Sequence, residues 1–409
     1  MAIGPWHASN RTVAALLAYG VTVIVSASSA PLGLYQTYAE RYHFSDAVTT
    51  SLAACSVLGV IAAVVFAGRL SDAIGRRAVL VPALGLTVIS LVCLLVADSI
   101  ALLFVGRFFA GLSVGTYTGA ATAALAELEP HRDTRRAARV AAMAAVAGFA
   151  SGPVIGGVFV EYGPWPLRLV YVAFLALLVP AFLGALSMQE TVVRRGSWSL
   201  RPRRLRVPPH GGRMFALASV IALCAWGLTS MFQSLGPSIV IRLLDVQNRA
   251  AATVLVACFL GSSSIVQIRL RHWPTRRATL LGLALLPVGG LLVTLSVVEQ
   301  SLTAFVAGSV IGGVGQGLAY LGGQSLVESV APASIRGEVF STYLIVVYLS
   351  GGVPAVLLGL VAKATGLYSS TVGYTILIAA LALSVLALCA RLLGREPVRL
   401  PDEPPPVAV

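Results

Sequence analysis

One charged, glycine-punctuated stretch decides how the chain is arranged: Gly68-Arg69-Leu70-Ser71-Asp72-Ala73-Ile74-Gly75-Arg76-Arg77. Apolar runs of about twenty residues, enough to cross a bilayer, precede and follow it. Four of its ten residues are ionised, so the stretch cannot lie in hydrocarbon. Gly68 and Gly75 let the backbone bend where a Cβ would obstruct it. The stretch is therefore predicted to be a tight turn at a membrane surface.

The composition indicates that a lipid bilayer is the solvent of this chain. Its 409 residues are 57% hydrophobic and 11% charged, whereas soluble domains carry about 25% charged residues. The first apolar run is too long for the hydrophobic region of a signal peptide, so we expect no cleavable signal. The five Cys lie inside apolar runs and the five His are scattered. This pattern predicts free thiols and no metal site.

Twelve apolar runs are long enough to cross about 30 Å of hydrocarbon as helices. This pattern predicts an all-α integral membrane protein. The predicted spans are 12–38, 47–67, 78–97, 100–126, 137–160, 167–188, 214–240, 250–268, 278–298, 301–328, 338–362 and 370–390.

The basic residues test this count through the positive-inside rule. With the N-terminus placed in the cytoplasm, the inner segments hold 23 of the 29 basic residues and the outer loops hold five; the remaining one is Arg107 in the fourth span. The bias predicts that both termini are cytoplasmic. The net charge of +13 then serves orientation rather than nucleic-acid binding. Because Lys363 is the sole lysine, we expect a bacterial source with a GC-rich genome.

The two halves of the chain repeat each other. At an offset of 200, Arg69, Arg76 and Arg77 match Arg269, Arg276 and Arg277. At an offset of 201 the matching pairs are Phe104 with Phe305, Gly111 with Gly312, Glu127 with Glu328, Arg135 with Arg336, and Pro153 with Pro354. The repeat predicts two pseudo-symmetric six-helix bundles with a substrate site between them near mid-bilayer.

The predicted domains follow from this repeat. Residues 1–188 form the first bundle, 189–213 a basic cytoplasmic linker, 214–393 the second bundle and 394–409 a disordered cytoplasmic tail rich in proline. The linker orients the chain, binds anionic lipid headgroups through its arginines, or does both.

With these features the sequence resembles the major facilitator superfamily over nearly its whole length. The stretch 68–77 looks like the family's signature loop between helices two and three. Arg107 with Gly111 and Gly115 is similar to its basic motif in helix four. Gly148-Phe149-Ala150-Ser151-Gly152-Pro153-Val154-Ile155-Gly156-Gly157 matches the pattern G-x-x-x-G-P-x-x-G-G, which is typical of the twelve-helix drug:proton antiporter branch.

The resemblance implies a transporter in the cell membrane and not an enzyme. Its partners would be a small-molecule substrate, the lipid bilayer and protons as the coupling ion. We expect no cofactor, no nucleic acid and a monomer.

The signature loop is predicted to act as a gate. An Asp at a membrane face can stabilise a helix N-terminus or pair with an Arg. In the family, the equivalent of Asp72 docks against the start of helix eleven, which here lies near Arg336, and closes the cytoplasmic side. Two acids lie near an arginine at the end of a span: Glu127 near Arg135, and Glu328 near Arg336. They are predicted to form ion pairs of the gate, or to be charges that only set topology. The gating candidates are Gly68, Asp72, Gly75, Arg76, Arg77, Glu127, Arg135, Glu328 and Arg336.

The fifth span carries small residues at a spacing of four. Small residues at this spacing let helices approach closely, and a proline bends its helix. They predict close packing that also serves a rocking interface between the halves; packing alone is the alternative. The motif residues are Gly148, Gly152, Pro153, Gly156 and Gly157.

Arg107 lies about 10 Å deep in the fourth span, at 1.5 Å per residue. An intramembrane charge is costly and suggests function. Two placements of its side chain are open: it snorkels to the outer surface, or it faces the cavity. In the cavity it would perturb a titrating group during coupling or attract an anionic substrate. None of the 16 acids falls at mid-bilayer, which departs from the buried carboxylate common in drug:proton antiporters.

Polar and aromatic residues at mid-span are the candidates for the cavity wall. Aromatic rings and amides on an apolar wall suit neutral or weakly polar organic molecules, and helix packing is the alternative for each. The candidates are Ser26, Ser29, Tyr35, Gln36, Tyr117, Trp226, Met231, Gln233, Ser262, Gln267, Gln316, Tyr320, Gln324, Tyr343 and Tyr348.

Two functions compete at this point. One is alternating-access efflux of drug-like compounds or secondary metabolites, coupled to protons, which would confer antibiotic resistance. The other is uptake or facilitative transport of a neutral or anionic metabolite, with Arg107 in the cavity. The spans hold no catalytic constellation for an intramembrane enzyme.

The signature loop has an incomplete twin at 269–277, in which His272 replaces Asp72 and Thr275 replaces Gly75. We therefore predict that Asp72→Asn lowers transport far more than Arg276→Glu, because the first loop alone keeps the acid and the glycine turn. Initial transport rates, normalised to the amount of protein in the membrane, measure this. Equal losses in the two variants would contradict the predicted asymmetry.

Overall fold

The computed structural model describes residues 10–67, 70–129, 134–190 and 205–393, without the side chains of 134 and 135. Within these ranges the chain forms α-helices and no strands. Gly68, the side chain of Arg135, most of the predicted linker and the predicted tail lie outside the described residues. The helices are α1 (Asn10–Ser29), α2 (Tyr35–Tyr42), α3 (Asp46–Ala62), α4 (Leu70–Ile74), α5 (Arg77–Leu95), α6 (Ile100–Leu128), α7 (Thr134–Tyr162), α8 (Leu169–Ser187), α9 (Gly212–Ser234), α10 (Gly236–Leu243), α11 (Arg249–Arg269), α12 (Thr275–Val298), α13 (Leu302–Val330), α14 (Arg336–Thr365) and α15 (Leu367–Leu392).

Twelve of the described helical segments are long and apolar enough to cross a membrane. Each corresponds to one of the twelve predicted spans, so the all-α membrane fold is confirmed. We name the two ends of the bundle by a residue on each. The Arg76 face carries Arg76 and the start of α5, and the Glu40 face carries Glu40 and the start of α11.

The first predicted span of each half is wrong as a single helix. The span 12–38 ends as α1 at Ser29, passes through a 3₁₀ turn at Ala30–Gly33 and restarts as α2. The span 214–240 ends as α9 and restarts one residue later as α10. Each break contains a proline, Pro31 or Pro237, which has no N–H to continue the helical hydrogen bonds. Both halves therefore place an eight-residue helix at the Glu40 face.

Buried apolar side chains form two clusters. One extends from Val13 to Met188 and the other from Phe215 to Leu393. Phe149 packs against both of them. We propose that the chain divides into two bundles at the linker 189–213, as the two separate clusters support.

The α7 glycines pack mainly inside the first half. A Cβ on Gly148, Gly152 or Gly156 would overlap a backbone carbonyl oxygen of α1 or of the turn that follows it. The absence of side chains at these positions brings the two helices into direct backbone contact. The motif therefore holds α7 against the break in α1.

One close contact between the two halves occurs twice. Gly157 of α7 lies against Thr253 of α11, and Gly359 of α14 lies against Thr50 of α3. In both cases a Cβ on the glycine would overlap the threonine Oγ1. Both threonines are buried and lie one turn from the Glu40-face end of their helix. The close approach of the halves at this face therefore depends on two glycines.

We predict that Gly157→Leu or Gly359→Leu separates the halves at the Glu40 face. Overpacking a close contact costs about 1–3 kcal/mol, enough to shift a balance between two conformations. The Gln36→Cys/Ser238→Cys pair reports the change, because the native side chains are hydrogen-bonded across the halves. Oxidative crosslinking should fall in both leucine variants.

The matched control is Gly373→Leu, since a Cβ at Gly373 would meet nothing within 4 Å. Crosslinking that stays at the parental yield in Gly157→Leu and Gly359→Leu would contradict the prediction.

Candidate functional site

A cavity of about 330 Å³ lies between the two halves. Its wall is mostly apolar, with residues such as Val57, Phe149 and Leu260. Among the described residues that line it, Arg107 is the one charged side chain. The polar side chains are Ser28, Ser29, Ser56, Arg107, Thr118, Trp226, Thr229, Gln233, Ser263, Ser264, Gln267, Gln316 and Tyr348.

Contacts between the halves close the cavity at the Glu40 face. The guanidinium of Arg242 lies 3.0 Å from the carboxylate of Asp46, and that of Arg249 lies 2.8 Å from Glu40. The backbone N–H of Arg249 also donates to Glu161 at 2.9 Å. The two ion pairs and this hydrogen bond join α2, α3 and α7 of the first half to α10 and α11 of the second.

The cavity opens toward the other end of the bundle. Its lining includes Gln267, two residues before α11 ends at Arg269 on the Arg76 face. The hydrogen bonds and ion pairs described between the two halves all lie at the Glu40 face, so the structure is closed there and open toward the Arg76 face.

Arg107 is buried, at 4% exposure, and ties three helices together. Its guanidinium donates to the Ser28 carbonyl, to Ser56 Oγ at 2.7 Å and to the Leu52 carbonyl at 3.4 Å. Ser28 lies in the last turn of α1, where the backbone carbonyls lack partners within their own helix. Snorkelling to the membrane surface is therefore wrong for this side chain, which lines the cavity instead.

The wall contributed by the second half carries an ordered polar chain. Gln267 Nε2 donates to Ser263 Oγ at 2.9 Å, and the Ser263 hydroxyl donates to Gln316 Oε1. The Trp226 ring lies next to this wall, edge-on to Tyr320 and 6.4 Å from Tyr348 between ring centroids.

The structure separates the predicted cavity residues into two groups. Ser29, Arg107, Trp226, Gln233, Gln267, Gln316 and Tyr348 line the cavity. The others, Ser26, Tyr35, Gln36, Tyr117, Met231, Ser262, Tyr320, Gln324 and Tyr343, do not.

The residues outside the lining have packing or surface roles. Tyr117 and Met231 are core side chains at 0% and 1% exposure. Ser26 bonds Ser151 within the first half, and Gln36 bonds Ser238 at the Glu40 face. Tyr35 lies beside the Arg107 guanidinium, 5.9 Å from ring centroid to guanidinium carbon.

Sequence reasoning missed several small hydroxyl residues of the wall. Ser263 and Ser264 line the cavity, whereas the prediction chose Ser262 from the same run. The apolar sequence around the run does not show how α11 is rotated, and one residue shifts the side chain by about 100° on a helix. The run of three serines was the available signal.

The turn around Arg76 forms a second candidate site at the Arg76 face. Arg76 donates to Glu127 at 2.8 Å, to Ser71 Oγ at 2.7 Å and to Asp72. Burial by itself would lower the pKa of the Arg76 guanidinium. The hydrogen bonds to Glu127 and Asp72 outweigh the effect of burial, so the pKa is raised. Glu127 is thus bound to Arg76, and the predicted pair with Arg135, whose side chain lies outside the described residues, stays a prediction.

The same turn binds a carboxylate through its backbone. The N–H groups of Arg76 and Arg77 donate to Glu190 at 2.7 Å and 3.1 Å. Gly75 has a φ of 111°, and a Cβ there would collide with the Glu190 carboxylate. The turn at Gly75, which the sequence predicted, therefore also binds Glu190. This contact attaches the end of the first half to the N-terminus of α5.

Asp72 does not dock against α14 in this structure. Its carboxylate pairs with Arg76 and the side chain is 64% exposed. Glu328 accepts from Gln324 at 3.1 Å, and Arg336 begins α14. Because the cavity opens toward this face, docking of Asp72 on α14 stays a prediction for a state closed here.

Comparisons with known proteins bear on this geometry. The family model described as Major Facilitator Superfamily matches residues 15–353. The multidrug resistance protein MdtL of Escherichia coli O81 (strain ED1a) is 26% identical over 202 residues, which are 48% of this chain and 50% of MdtL. The uncharacterized MFS-type transporter MT1926 of Mycobacterium tuberculosis (strain CDC 1551 / Oshkosh) is 27% identical over 219 residues, 50% of this chain and 30% of that protein. The matches span half of these relatives or less.

Solved structures share the fold over almost all of the chain. A bacterial homolog to the human lysosomal transporter Spinster, in an inward-facing and unoccupied conformation, superposes with a TM-score of 0.74 at 16% identity, covering 95% of this chain and 98% of that one. A POT family transporter in complex with 5-aminolevulinic acid gives a TM-score of 0.76 at 12% identity, covering 96% and 98%.

We predict that Glu127→Gln destabilises the folded protein. The substitution removes the charge that faces the buried Arg76 guanidinium, and loss of such a hydrogen bond costs about 1–3 kcal/mol. Thermal unfolding in detergent should show a lower midpoint for this variant.

Glu328→Gln is the matched control, since this equivalent acid of the second half is exposed and bonds only a glutamine among the contacts described for it. Equal unfolding midpoints for the two variants would contradict the role given to the Arg76 cluster.

Proposed function

The chain belongs to the Major Facilitator Superfamily, and from that premise we propose that it exports small amphipathic organic compounds by alternating access. One observation carries the proposal: a mostly apolar cavity of about 330 Å³ lies between two helical halves, closed at one face and open toward the other. Such a cavity can be exposed to either side of a membrane in turn if the halves rock about it.

The arginine distribution supports the direction in which the chain crosses the membrane. We propose that both termini and the Arg76 face are cytoplasmic, because inner loops collect basic residues. In this orientation the structure is inward-facing. A substrate would enter the cavity from the cytoplasm or from the inner leaflet.

Two observations favour export. The α7 pattern that ends in Gly156-Gly157 is typical of drug:proton antiporters, and it is packed against α1 beside the cavity. Part of the chain is also similar to a protein named for multidrug resistance. Protons as the driving ion belong to the same proposal.

A second candidate is uptake or facilitative transport of a metabolite. It is favoured by the composition of the cavity wall, where the described residues include no carboxylate that could exchange protons. The two candidates differ in their response to a proton gradient.

Transport into proteoliposomes tests the proposal. With the reconstituted full chain, we expect an imposed pH gradient to drive accumulation of amphipathic compounds and an ionophore that collapses the gradient to abolish it. Gly152→Leu should abolish transport, because a Cβ at Gly152 would overlap Ser26 and Ser29.

Gly373→Leu is the control for a leucine at an open position, and its transport should stay at the wild-type rate. Cells that express the chain should resist toxic substrates, and Asp72→Asn should remove the resistance. Transport that ignores the pH gradient but is lost in Arg107→Ala would favour the second candidate. Absence of transport by the wild type under every gradient would reject both.

A further inference from the structure

We propose that the cavity binds an amphipathic organic anion, with its carboxylate or other oxyanion held between Arg107 of the first half and Trp226 and Gln233 of the second. This inference rests on the proposed function, since it names the substrate class of the same cavity. Two observations carry it: a charge without a counter-charge on the first half, and buried donors without acceptors on the second half.

The first observation is the charge of the wall. A guanidinium keeps its proton in proteins, so Arg107 contributes one positive charge. Among the described residues, neither the cavity lining nor the ion pairs include a carboxylate that faces Arg107. Its partners are two carbonyl oxygens and a hydroxyl. A buried charge that lacks a counter-charge is costly, and an anionic ligand would supply one.

Arg107 also has donors left for a ligand. A guanidinium carries five N–H bonds, and the three hydrogen bonds above use three of them. These bonds fix the orientation of the side chain against α1 and α3. A planar oxyanion can accept from the remaining N–H groups without displacing the structural contacts.

The second observation lies on the opposite wall. Trp226 Nε1 and Gln233 Nε2 are buried, and neither has a hydrogen-bond partner among the described residues. Both residues line the cavity together with Arg107. Leaving a buried donor unpaired costs free energy that a ligand acceptor would recover. Both donor atoms are covered by protein, so binding would turn these side chains toward the ligand, and the positive charge of Arg107 favours an anionic acceptor.

The apolar part of the wall indicates which kind of organic body the ligand carries. Val57, Val114, Phe149 and Leu260 surround the polar groups. Such a wall removes apolar surface from water and favours an aliphatic or aromatic body. An organic cation would instead meet an unopposed positive charge.

A matched series of three probes tests the charge preference of the purified full-length protein. The probes are 2-naphthoate, 2-naphthamide and 2-naphthylmethylammonium, which share one ring system and are anionic, neutral and cationic. A panel of smaller and larger aromatic and aliphatic carboxylates and sulfonates varies the size of the apolar body. Thermal stabilisation as a function of probe concentration gives the apparent Kd.

We expect the anions to stabilise the wild type, the amide to do so more weakly and the cation not at all. Arg107→Gln should weaken anion binding by about tenfold to a hundredfold, as for loss of a charged hydrogen bond. Arg168→Gln is its control, because Arg168 is exposed and outside the cavity lining. Trp226→Phe and Gln233→Leu keep Arg107 and should each weaken anion binding severalfold.

The inference is overturned if the amide or the cation binds as tightly as the naphthoate, or if no member of the anion panel binds. It is also overturned if anion affinity is unchanged in the three cavity variants. Should Arg107→Gln fail to fold, the wild-type series and the two variants of the second half decide the question.

The same probes separate this inference from the proposed function. Arg107-dependent binding of 2-naphthoate without any transport into proteoliposomes would keep the anion site and reject export. Gradient-driven transport of the neutral or cationic probe, with no binding of anions, would keep export and reject the anion site.

Discussion

In hydrocarbon, every backbone carbonyl and N–H needs a partner within the protein, and this constraint decides where a transmembrane helix can break. Pro31 interrupts α1 and leaves the end of that helix short of donors. Arg107 of α6 supplies one of them to Ser28 and in the same geometry reaches Ser56 and Leu52 of α3. The break, the buried charge and the cavity wall beside them are therefore parts of one arrangement. In the second half, α9 breaks at the corresponding position before Pro237, but the described residues that line the cavity from that side include no arginine.

The sequence was sufficient for the large-scale features because they depend on length and on charge counted over many residues. Twelve apolar runs, the offset near 200 and the signature turn predicted the helices, the repeat and the bend at Gly75. Hydropathy cannot show how a buried helix is rotated, so it did not separate Ser263 from Ser262, or the wall residue Trp226 from the core residue Met231. Ion-pair partners were equally hidden. Glu127 contacts Arg76, on a turn fifty-one residues away along the chain, and no pattern in the sequence indicated that partner.

The α7 pattern shows how one motif can serve two purposes. Three of its glycines seat α7 on α1 inside the first half, and Gly157, one residue beyond, touches Thr253 of the other half. Gly359 of the second half makes the same contact with Thr50 of the first half, so each half contributes one glycine and one threonine. A pair of equivalent, small-residue contacts can act as pivots, since little side-chain volume has to be repacked around them. The ion pairs at the Glu40 face lie outside these pivots, where water can replace them.

The position of Arg107 also bears on how membrane voltage would act on this protein. If water fills the cavity from the Arg76 face, Arg107 in the present structure lies close to the potential of that side. If the halves reorient around it, the same guanidinium comes under the potential of the opposite side. Moving one full elementary charge through 100 mV changes the free energy by about 2.3 kcal/mol, and part of this would apply to the empty protein. A bound monovalent anion would cancel the charge. The orientation of the empty protein would then depend on the membrane potential, whereas the orientation of the loaded protein would depend little on it.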